Sequence, residues 1–280
     1  MDRRFVFVAN SRSGSFDRDL IEELLAEAER TGLGKVELCL LPDAACPTPG
    51  SLGQDDLVAV FGGDGTISSV VRELAGWSGA VLILPGGTMN LASRRLHGEQ
   101  DAIAILAAVA SGKARRERPS VIRTSQGDSL AGVMVGPGTA WSDVREAMRD
   151  LDLTGLAASS VRAFATTSTG SRVACTVPPV GRSEGYPMIE ILPTASGMEL
   201  SGYHADDVGE FALGLAALLR HDFRAGPHES ILLDGPVTLA AVDGEAVGIL
   251  IDGEPVEEER QVILTVGSSE VDLLVTAADG

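Results

Sequence analysis

Strand-length apolar runs alternate with helix-length segments through the first 118 residues, and this alternation restricts the fold more than any other feature of the sequence. Alternating β and α units form a mostly parallel sheet covered by helices, with ligands bound beyond the carboxyl ends of the strands. The predicted strands are residues 5–9, 36–40, 57–61 and 80–84. The predicted helices run from a cap at Ser15 to residue 30, over 66–75, from the loop after residue 87 to Leu96, and over 101–110.

The pattern changes after residue 118. Short β-like runs separated by Gly, Pro and Asp-Gly turns predict a mainly antiparallel β-sandwich. We therefore expect an α/β domain over residues 1–118 and a β-rich domain over residues 119–280, whose last residues can pack back on the first domain. The β-like runs are 130–135, 172–177, 188–192, 231–233, 237–241, 248–251, 262–266 and 271–275, with helical stretches near 141–149 and 206–219.

The net charge of −18 argues against a nucleic-acid binder, because phosphate neutralisation requires an excess of Lys and Arg. Residues 1–118 hold 13 basic and 16 acidic residues, whereas residues 119–280 hold 9 and 24. The basic segment 113–118 is interpreted either as a linker or as an exposed helix end, where the helix dipole favours cations. The candidates for contact with a membrane surface are Arg94, Arg95, Arg115, Arg116 and Arg118.

Cysteine usage and apolar run length indicate a cytoplasmic protein. Cys39, Cys46 and Cys175 form no CxxC motif, so neither a disulfide framework nor a zinc site is predicted. The longest apolar runs, residues 102–110 and 211–219, are far shorter than the ~20 residues that cross a bilayer. The apolar run after the start of the chain is also too short for a signal peptide.

The strongest functional signal is Gly62-Gly63-Asp64-Gly65-Thr66, between a hydrophobic strand and a helix. Glycines let the backbone approach a bound group, and free N–H groups at a helix start suit phosphate. An acid there repels phosphates unless it holds Mg²⁺ or takes a proton from an attacking hydroxyl, which makes Asp64 a candidate catalytic and metal-binding residue. Two further polar loops follow neighbouring strands, although any one loop alone fits a plain turn. The candidate nucleotide-binding residues are Asn10, Arg12, Ser13, Gly14, Gly62, Gly63, Gly65, Thr66, Gly86, Gly87, Thr88 and Asn90.

Other nucleotide signatures are absent from the sequence. Neither Gly34-Lys35 nor Gly112-Lys113 lies in a GxxxxGK[ST] pattern, which excludes a P-loop. The four histidines are scattered and are interpreted as surface or packing residues. They are His97, His204, His221 and His228.

These motifs resemble the diacylglycerol kinase catalytic-domain family, the bacterial lipid kinases related to sphingosine and ceramide kinases. The matching segments are residues 10–14, 62–66, 85–90 and 251–255, in the family's order. The resemblance implies an α/β nucleotide domain, a β-sandwich domain and a cleft between them. It also implies ATP- and Mg²⁺-dependent phosphorylation of a lipid hydroxyl, with a diacylglycerol or a sphingoid or ceramide as acceptor.

The resemblance selects one of two Asp-Gly-Glu triplets for a functional role. Residues 252–254 precede Pro255 as in the family, whereas residues 243–245 are interpreted as a hairpin turn. The resemblance implies that Asp64 or Asp252 is the general base. Glu254 would lie near the metal or nucleotide, so that Asp64 and Glu254 are the candidate metal ligands.

Departures from the family keep other functions open. Ser69 and Arg72 stand where the family usually has Glu and Asn, Leu91 stands where many members have Asp, and Ser11 stands where the family has Pro. The alternatives are an NAD kinase-like enzyme with a soluble substrate, and a catalytically inactive lipid- or nucleotide-binding regulator. The expected partners are ATP and a lipid at the inner face of a membrane, approached transiently, with a homodimer left open. The helices over 101–110 and 206–219 are candidate neighbours of the acyl chain or ordinary core helices.

Overall fold

The structure is a computed structural model that describes residues 3–13, 16–87, 90–137, 172–203 and 228–277. The chain divides into two compact units, Met1–Pro119 with Ser268–Gly280, and Ser120–Gly267. The helices expected over 141–149 and 206–219 lie outside the described residues. Within the described ranges, no helix is long and apolar enough to cross a membrane.

The strands and α-helices of the described chain follow one another in this order. They are β1 (Arg4–Asn10), α1 (Arg18–Arg30), β2 (Lys35–Leu41), β3 (Leu57–Gly62), α2 (Asp64–Glu73), β4 (Ala80–Pro85), α3 (Leu91–His97), α4 (Ala102–Ala110), β5 (Arg115–Glu117), β6 (Ser120–Thr124), β7 (Gly127–Ser129), β8 (Val133–Pro137), β9 (Val173–Val177), β10 (Pro179–Val180), β11 (Met188–Thr194), β12 (Gly197–Tyr203), β13 (His228–Leu233), β14 (Val237–Ala241), β15 (Val247–Ile251), β16 (Glu254–Pro255), β17 (Gln261–Ser268) and β18 (Asp272–Val275).

The first unit is built on a six-stranded sheet in the order β2-β1-β3-β4-β18-β5. All neighbouring pairs from β2 to β18 are parallel, and β5 is antiparallel to β18. Every residue of β3 is buried, as is typical of a parallel strand with helices on both faces. The predicted parallel sheet with helices is therefore confirmed. Because β1, β3 and β4 are parallel neighbours, their carboxyl ends lie at the same edge of the sheet.

Two helices begin at residues other than those predicted. Asp17, not Ser15, is the N-cap of α1, and its carboxylate accepts hydrogen bonds from the amides of Asp19 and Leu20. A carboxylate at that position both caps the helix and suits the positive end of its dipole. Helix α2 begins at Asp64 rather than at Thr66, so the acid of the glycine loop is the first residue of a helix.

The basic segment before residue 119 is neither a linker nor a helix end. Strand β5 pairs with β18, the strand that returns from the end of the chain. Asp272 on β18 forms ion pairs with Arg116 at 3.1 Å and with Arg118 at 2.8 Å. Arg115 pairs with Glu117 within β5. Sequence reasoning misses this strand because its partner is about 160 residues away in sequence, and local patterns carry no information about such a pairing.

Over its described residues, the second unit contains two six-stranded sheets. Their orders are β10-β9-β14-β17-β6-β7 and β13-β12-β11-β8-β15-β16. Apolar side chains of both sheets form one buried cluster, which includes Ile122, Val135, Leu239 and Leu264. The mainly antiparallel sandwich predicted for the C-terminal part is confirmed. Strands β6, β7 and β12 are not among the predicted runs, because β6 and β7 are short and β12 contains two glycines and a serine that interrupt its apolar pattern.

Candidate functional site

Three polar loops meet at the carboxyl edge of the parallel sheet. They follow β1, β3 and β4, and the last residues of these strands are Asn10, Gly62 and Pro85. The Gly86 amide donates to the Gly62 carbonyl at 3.1 Å, which joins the second and third loops directly. This edge is the expected place for a ligand in an open parallel sheet.

The contact between the two glycine loops leaves no room for side chains. A Cβ on Gly86 would lie 2.7 Å from the Gly62 nitrogen, and one on Gly87 would lie 2.5 Å from the Gly63 Cα. Both distances are shorter than real Cβ contacts, and the atoms that they meet are backbone. The glycines are therefore required by the close packing of one loop on the other.

Two asparagines hold these loops in shape. The Asn10 amide nitrogen donates to Thr66 Oγ1 at 3.3 Å, and its Oδ1 accepts from the Arg12 amide at 3.0 Å. Asn90, at a left-handed φ of 51°, accepts from the Gly87 amide at 2.7 Å and donates back to the Gly87 carbonyl at 2.8 Å. Asn10 thus bridges the first and second loops, and Asn90 closes the third loop on itself.

Asp64 starts α2 and also binds the start of α3. The carboxylate is only 8% exposed; its Oδ2 accepts from the Leu91 amide at 3.1 Å and its Oδ1 from the Ala92 amide at 2.9 Å. Gly63 is the N-cap of α2 and gives no side-chain hydrogen bond to the first amides of this helix. The arrangement places a fixed carboxylate beside backbone donors that suit an anion.

Asp252 lies in the second unit, in the turn between β15 and β16. Strand pairing of Ile251 with Glu254 leaves Asp252 and Gly253 as a two-residue hairpin loop, with φ of 50° and 79°. Positive φ at both positions is the geometry of a type I′ turn, for which Asp-Gly is a preferred sequence. The hairpin interpretation, which the sequence favours for residues 243–245, therefore also describes residues 252–254.

The Asp252 carboxylate is 4% exposed and is surrounded by hydrogen-bond donors. Its Oδ1 accepts from Ser129 Oγ at 2.6 Å, from the Ala131 amide at 2.7 Å and from the Gly132 amide at 3.2 Å. Its Oδ2 accepts from the Leu130 amide at 3.2 Å. The side chain therefore points into the protein and binds the segment that leads from β7 to β8.

Some of the predicted site residues are exposed, and two of them lie outside the described residues. Glu254 is exposed, as are Arg12 in the first loop and the two departures Ser69 and Arg72 on α2. Leu91 contributes its backbone amide to Asp64, so that contact does not depend on its side chain. Asp64 belongs to the first unit, whereas Asp252 and Glu254 belong to the second. Gly14 and Thr88 lie outside the described residues. Ser13 follows Arg12 in the first loop, and Gly65 follows Asp64 in the first turn of α2.

No group of three or more metal-ligating side chains is found in the part of the chain that the structure describes. Magnesium in phosphotransfer sites is typically held by one or two carboxylates together with substrate phosphates. A fixed carboxylate at Asp64, beside amides that suit phosphate, fits such binding. The predicted pair of metal ligands, Asp64 and Glu254, stays a prediction.

Sequence reasoning missed Ser129. It is fully buried, and besides donating to Asp252 its Oγ accepts from the Gly132 amide at 2.8 Å. No sequence signal marks a serine that lies more than a hundred residues from its partner.

His97 is a packing residue, as expected, with an unusual environment. It is buried on α3, its Nδ1 lies 2.9 Å from Thr276 Oγ1, and burial lowers its pKa to about 4.

The arginines proposed to contact a membrane are largely engaged with acids. Arg94 pairs with Glu99 at the end of α3. Arg115, Arg116 and Arg118 pair with acidic side chains on or beside β18, as described above. These pairs reduce the positive charge that this part of the surface offers to anionic lipid.

Comparison with known proteins supports the interpretation of the first unit. The family described as the diacylglycerol kinase catalytic domain matches residues 4–119. No curated protein matches the chain.

Solved structures match over nearly the whole length. One structure from Bacillus anthracis strain Sterne, assigned as a diacylglycerol kinase, is 14% identical, with 99% of each chain covered and a TM-score of 0.64. A second from that strain is 13% identical, with 98% of this chain and 97% of that chain covered and a TM-score of 0.58. At these identities the structures show a shared fold. The family match shows that residues 4–119 are similar to the diacylglycerol kinase catalytic domain, a kinase domain.

Proposed function

We propose that the protein is a lipid kinase that transfers the γ-phosphate of ATP to a hydroxyl group of a membrane lipid, with Mg²⁺. The observation that carries this proposal is the convergence of three polar loops and Asp64 at the carboxyl edge of the parallel sheet, within the residues that match the kinase family. The coverage of whole chains by the similar structures supports extending the proposal beyond the matched domain.

The two glycine loops would hold the phosphates. Their backbones pack without side chains, so amide groups can approach phosphate oxygens closely. Asn10 and Arg12 would hold the nucleotide at the neighbouring loop. Phosphoryl transfer depends mainly on positioning and on charge neutralisation, and fixed loops supply the first of these. Mg²⁺, bound with the phosphates and Asp64 or Glu254, would supply the second.

The acceptor hydroxyl must lose its proton as its oxygen bonds to the γ-phosphorus. The bond to the bridging oxygen breaks in the same reaction, and ADP leaves. A carboxylate, Asp64 or Asp252, would take the proton as general base. For the acceptor we propose a diacylglycerol or a sphingoid or ceramide lipid, reached at the inner face of a membrane by a cytoplasmic enzyme.

Radiolabelled ATP tests the proposal directly. The wild-type protein is incubated with [γ-³²P]ATP, with and without Mg²⁺, and with diacylglycerol, sphingosine, ceramide or NAD in mixed micelles. We expect Mg²⁺-dependent label in one lipid and a loss of about 10²–10⁴-fold in turnover for Asp64→Asn. Asp243→Asn, in the other Asp-Gly-Glu triplet, serves as the control.

Other outcomes would replace the proposal. Label in NAD alone would indicate the soluble-substrate kinase. Tight ATP binding with no transfer to any acceptor would indicate the inactive regulator, which Ser69 and Arg72 motivate. Near wild-type turnover in Asp64→Asn would remove Asp64 from the chemistry.

A further inference from the structure

The Asp252 turn is fastened to a segment that crosses between the two sheets of the second unit. Strand β7 belongs to one sheet and β8 to the other, so residues 130–132 connect them. All three amides of this connection donate to the Asp252 carboxylate. In the opposite direction, the Asp252 amide donates to the Gly132 carbonyl at 3.0 Å. The turn and the crossing segment are thus joined by both backbone and side chain.

The neighbouring residues are adapted to this contact. Ser129 Oγ donates to Asp252 and accepts from Gly132, so it links the carboxylate to the backbone that the carboxylate binds. Gly132 has a φ of 148°, and a Cβ there would lie 2.6 Å from Leu192 Cδ2. A Cβ would also lie 3.1 Å from the Ile191 carbonyl oxygen, and a φ in this region favours glycine, so a side chain here would strain the backbone of the crossing segment.

A general base needs a carboxylate oxygen that can receive the proton of the substrate. An aspartate oxygen has two acceptor lone pairs, and Oδ1 of Asp252 already accepts from three donors. A proton on this oxygen would face those donors and disrupt their hydrogen bonds. Oδ2 accepts from the Leu130 amide, and the whole side chain is only 4% exposed, so little of either oxygen is accessible to a substrate hydroxyl. Asp64, at the edge of the sheet where the three loops meet, accepts from the Leu91 and Ala92 amides.

The hairpin divides its two acids between the inside and the outside. The left-handed φ of Asp252 turns its side chain inward, and strand pairing places Glu254, two residues later, on the exposed side. Fixing Asp252 to residues 129–132 therefore also fixes the turn that carries Glu254.

We propose that Asp252 is a positioning residue rather than the general base, and that Ser129 and Asp252 together hold the turn so that Glu254 is correctly placed. This rests on the proposed kinase function and leaves Asp64 as the base. Glu254 then contacts the nucleotide or its metal, and the two buried residues act through it.

Hydrogen exchange tests the contact independently of activity. Exchange of the amides of residues 130–132 is compared by mass spectrometry among wild type, Ser129→Ala, Asp252→Asn and Asp243→Asn. We expect at least about 10-fold faster exchange in Ser129→Ala and in Asp252→Asn, because each substitution removes or weakens an acceptor of the hydrogen bonds that these amides donate. The Asp243→Asn control should match wild type. Unchanged exchange in both Ser129→Ala and Asp252→Asn would overturn the proposal, whatever the activity.

Kinetics distinguish positioning from base catalysis. We expect Ser129→Ala, Asp252→Asn and Glu254→Gln each to raise the KM for ATP several-fold, and the pH profile of kcat to keep its acidic limb. Because Ser129 and Asp252 share one contact, the double variant should lose little more than Asp252→Asn alone. A fall of kcat by more than about 100-fold in Asp252→Asn, with normal KM, normal exchange and a nearly normal Ser129→Ala, would make Asp252 the base. If the wild-type protein phosphorylates no lipid, the kinase proposal fails, but the exchange experiment still tests the contact between Asp252 and residues 129–132. If Asp252→Asn does not fold, Ser129→Ala still tests that contact.

Discussion

Asp64 and Asp252 are both buried aspartates followed by glycine, and both accept backbone amide hydrogen bonds, yet they connect different parts of the molecule. Asp64 begins a helix and binds the first amides of the next helix, within the edge where three loops meet. Asp252 lies in a tight hairpin and binds the segment between two sheets. An Asp-Gly motif therefore does not define a role. The source of the donors around the carboxylate distinguishes the two residues.

The largest expected effect separates the two aspartates by stability. Asp252→Ala leaves three amides and a buried hydroxyl without their acceptor, and we expect it to lower the free energy of unfolding by on the order of 3–5 kcal/mol. Asp64→Ala leaves two amides at a helix start, which costs about 1–2 kcal/mol. Urea unfolding followed by circular dichroism measures both values. An equal or smaller loss for Asp252→Ala would show that its hydrogen bonds add no more than those of Asp64.

Acidification should destabilise the region around Asp64 before it destabilises the region around Asp252. His97 lies on α3, whose first amides bind Asp64, and its folded pKa of about 4 lies below its ordinary value of 6.5. The unfolded chain binds a proton on this histidine more readily than the folded chain does. The contribution of the buried neutral imidazole to the free energy of unfolding is therefore fully present above pH 6.5. It is lost as the pH falls towards 4, by about 3 kcal/mol at most. Unfolding measured from pH 7 to 4 should therefore be steeper in wild type than in His97→Asn.

Asparagine is the matched substitution for His97 because its side-chain amide can replace Nδ1, the ring nitrogen that lies 2.9 Å from Thr276 Oγ1. The protection factors of the Leu91 and Ala92 amides, which correct for slower intrinsic exchange at low pH, should fall with acidification before those of residues 130–132 do. Parallel curves of unfolding free energy against pH for wild type and His97→Asn would show that burial does not lower the pKa of His97 as described.

The sequence predicts what short-range patterns encode. Apolar runs locate the parallel strands, and glycines flanking Asp64 locate the loops that the structure brings together. Patterning sets secondary structure and the face that is buried, so the two-part architecture is predictable. The site loops are predictable as well, because consecutive parallel strands place their carboxyl ends at one edge.

Contacts between distant segments are not predictable in this way. Ser129 and Asp252 are 123 residues apart, and no sequence pattern near either residue predicts their contact. The pairing of β5 with β18 is missed for the same reason, since its basic run has the composition of a linker although its charges face Asp272. A sequence shows which residues carry charge, whereas burial and donor count depend on the chain that returns beside them.

A methyl group at the contact between the glycine loops should have an intermediate effect. Gly87→Ala places a Cβ 2.5 Å from the Gly63 Cα, so one loop must move, and we expect a loss of about 1–3 kcal/mol and at least 10-fold weaker ATP binding. Gly50→Ala is the control, because a Cβ there meets nothing within 4 Å. Calorimetric titration with ATP and thermal unfolding measure the two effects. Wild-type affinity in Gly87→Ala would mean that the contact between the loops is not needed for nucleotide binding.

The smallest effect is expected at Asp243, which has the same Asp-Gly-Glu sequence as the Asp252 turn. Its exposed carboxylate accepts from the Glu245 amide at 3.1 Å, and Gly244 has a φ of 79°. Asparagine keeps an oxygen that can accept this bond and tolerates the turn, so Asp243→Asn should change the free energy of unfolding by less than about 0.5 kcal/mol. Phosphotransfer should also stay within about twofold of wild type, because this carboxylate is exposed on the surface. A loss of activity at Asp243 together with normal activity at Asp252 and Glu254 would reverse the choice between the two triplets.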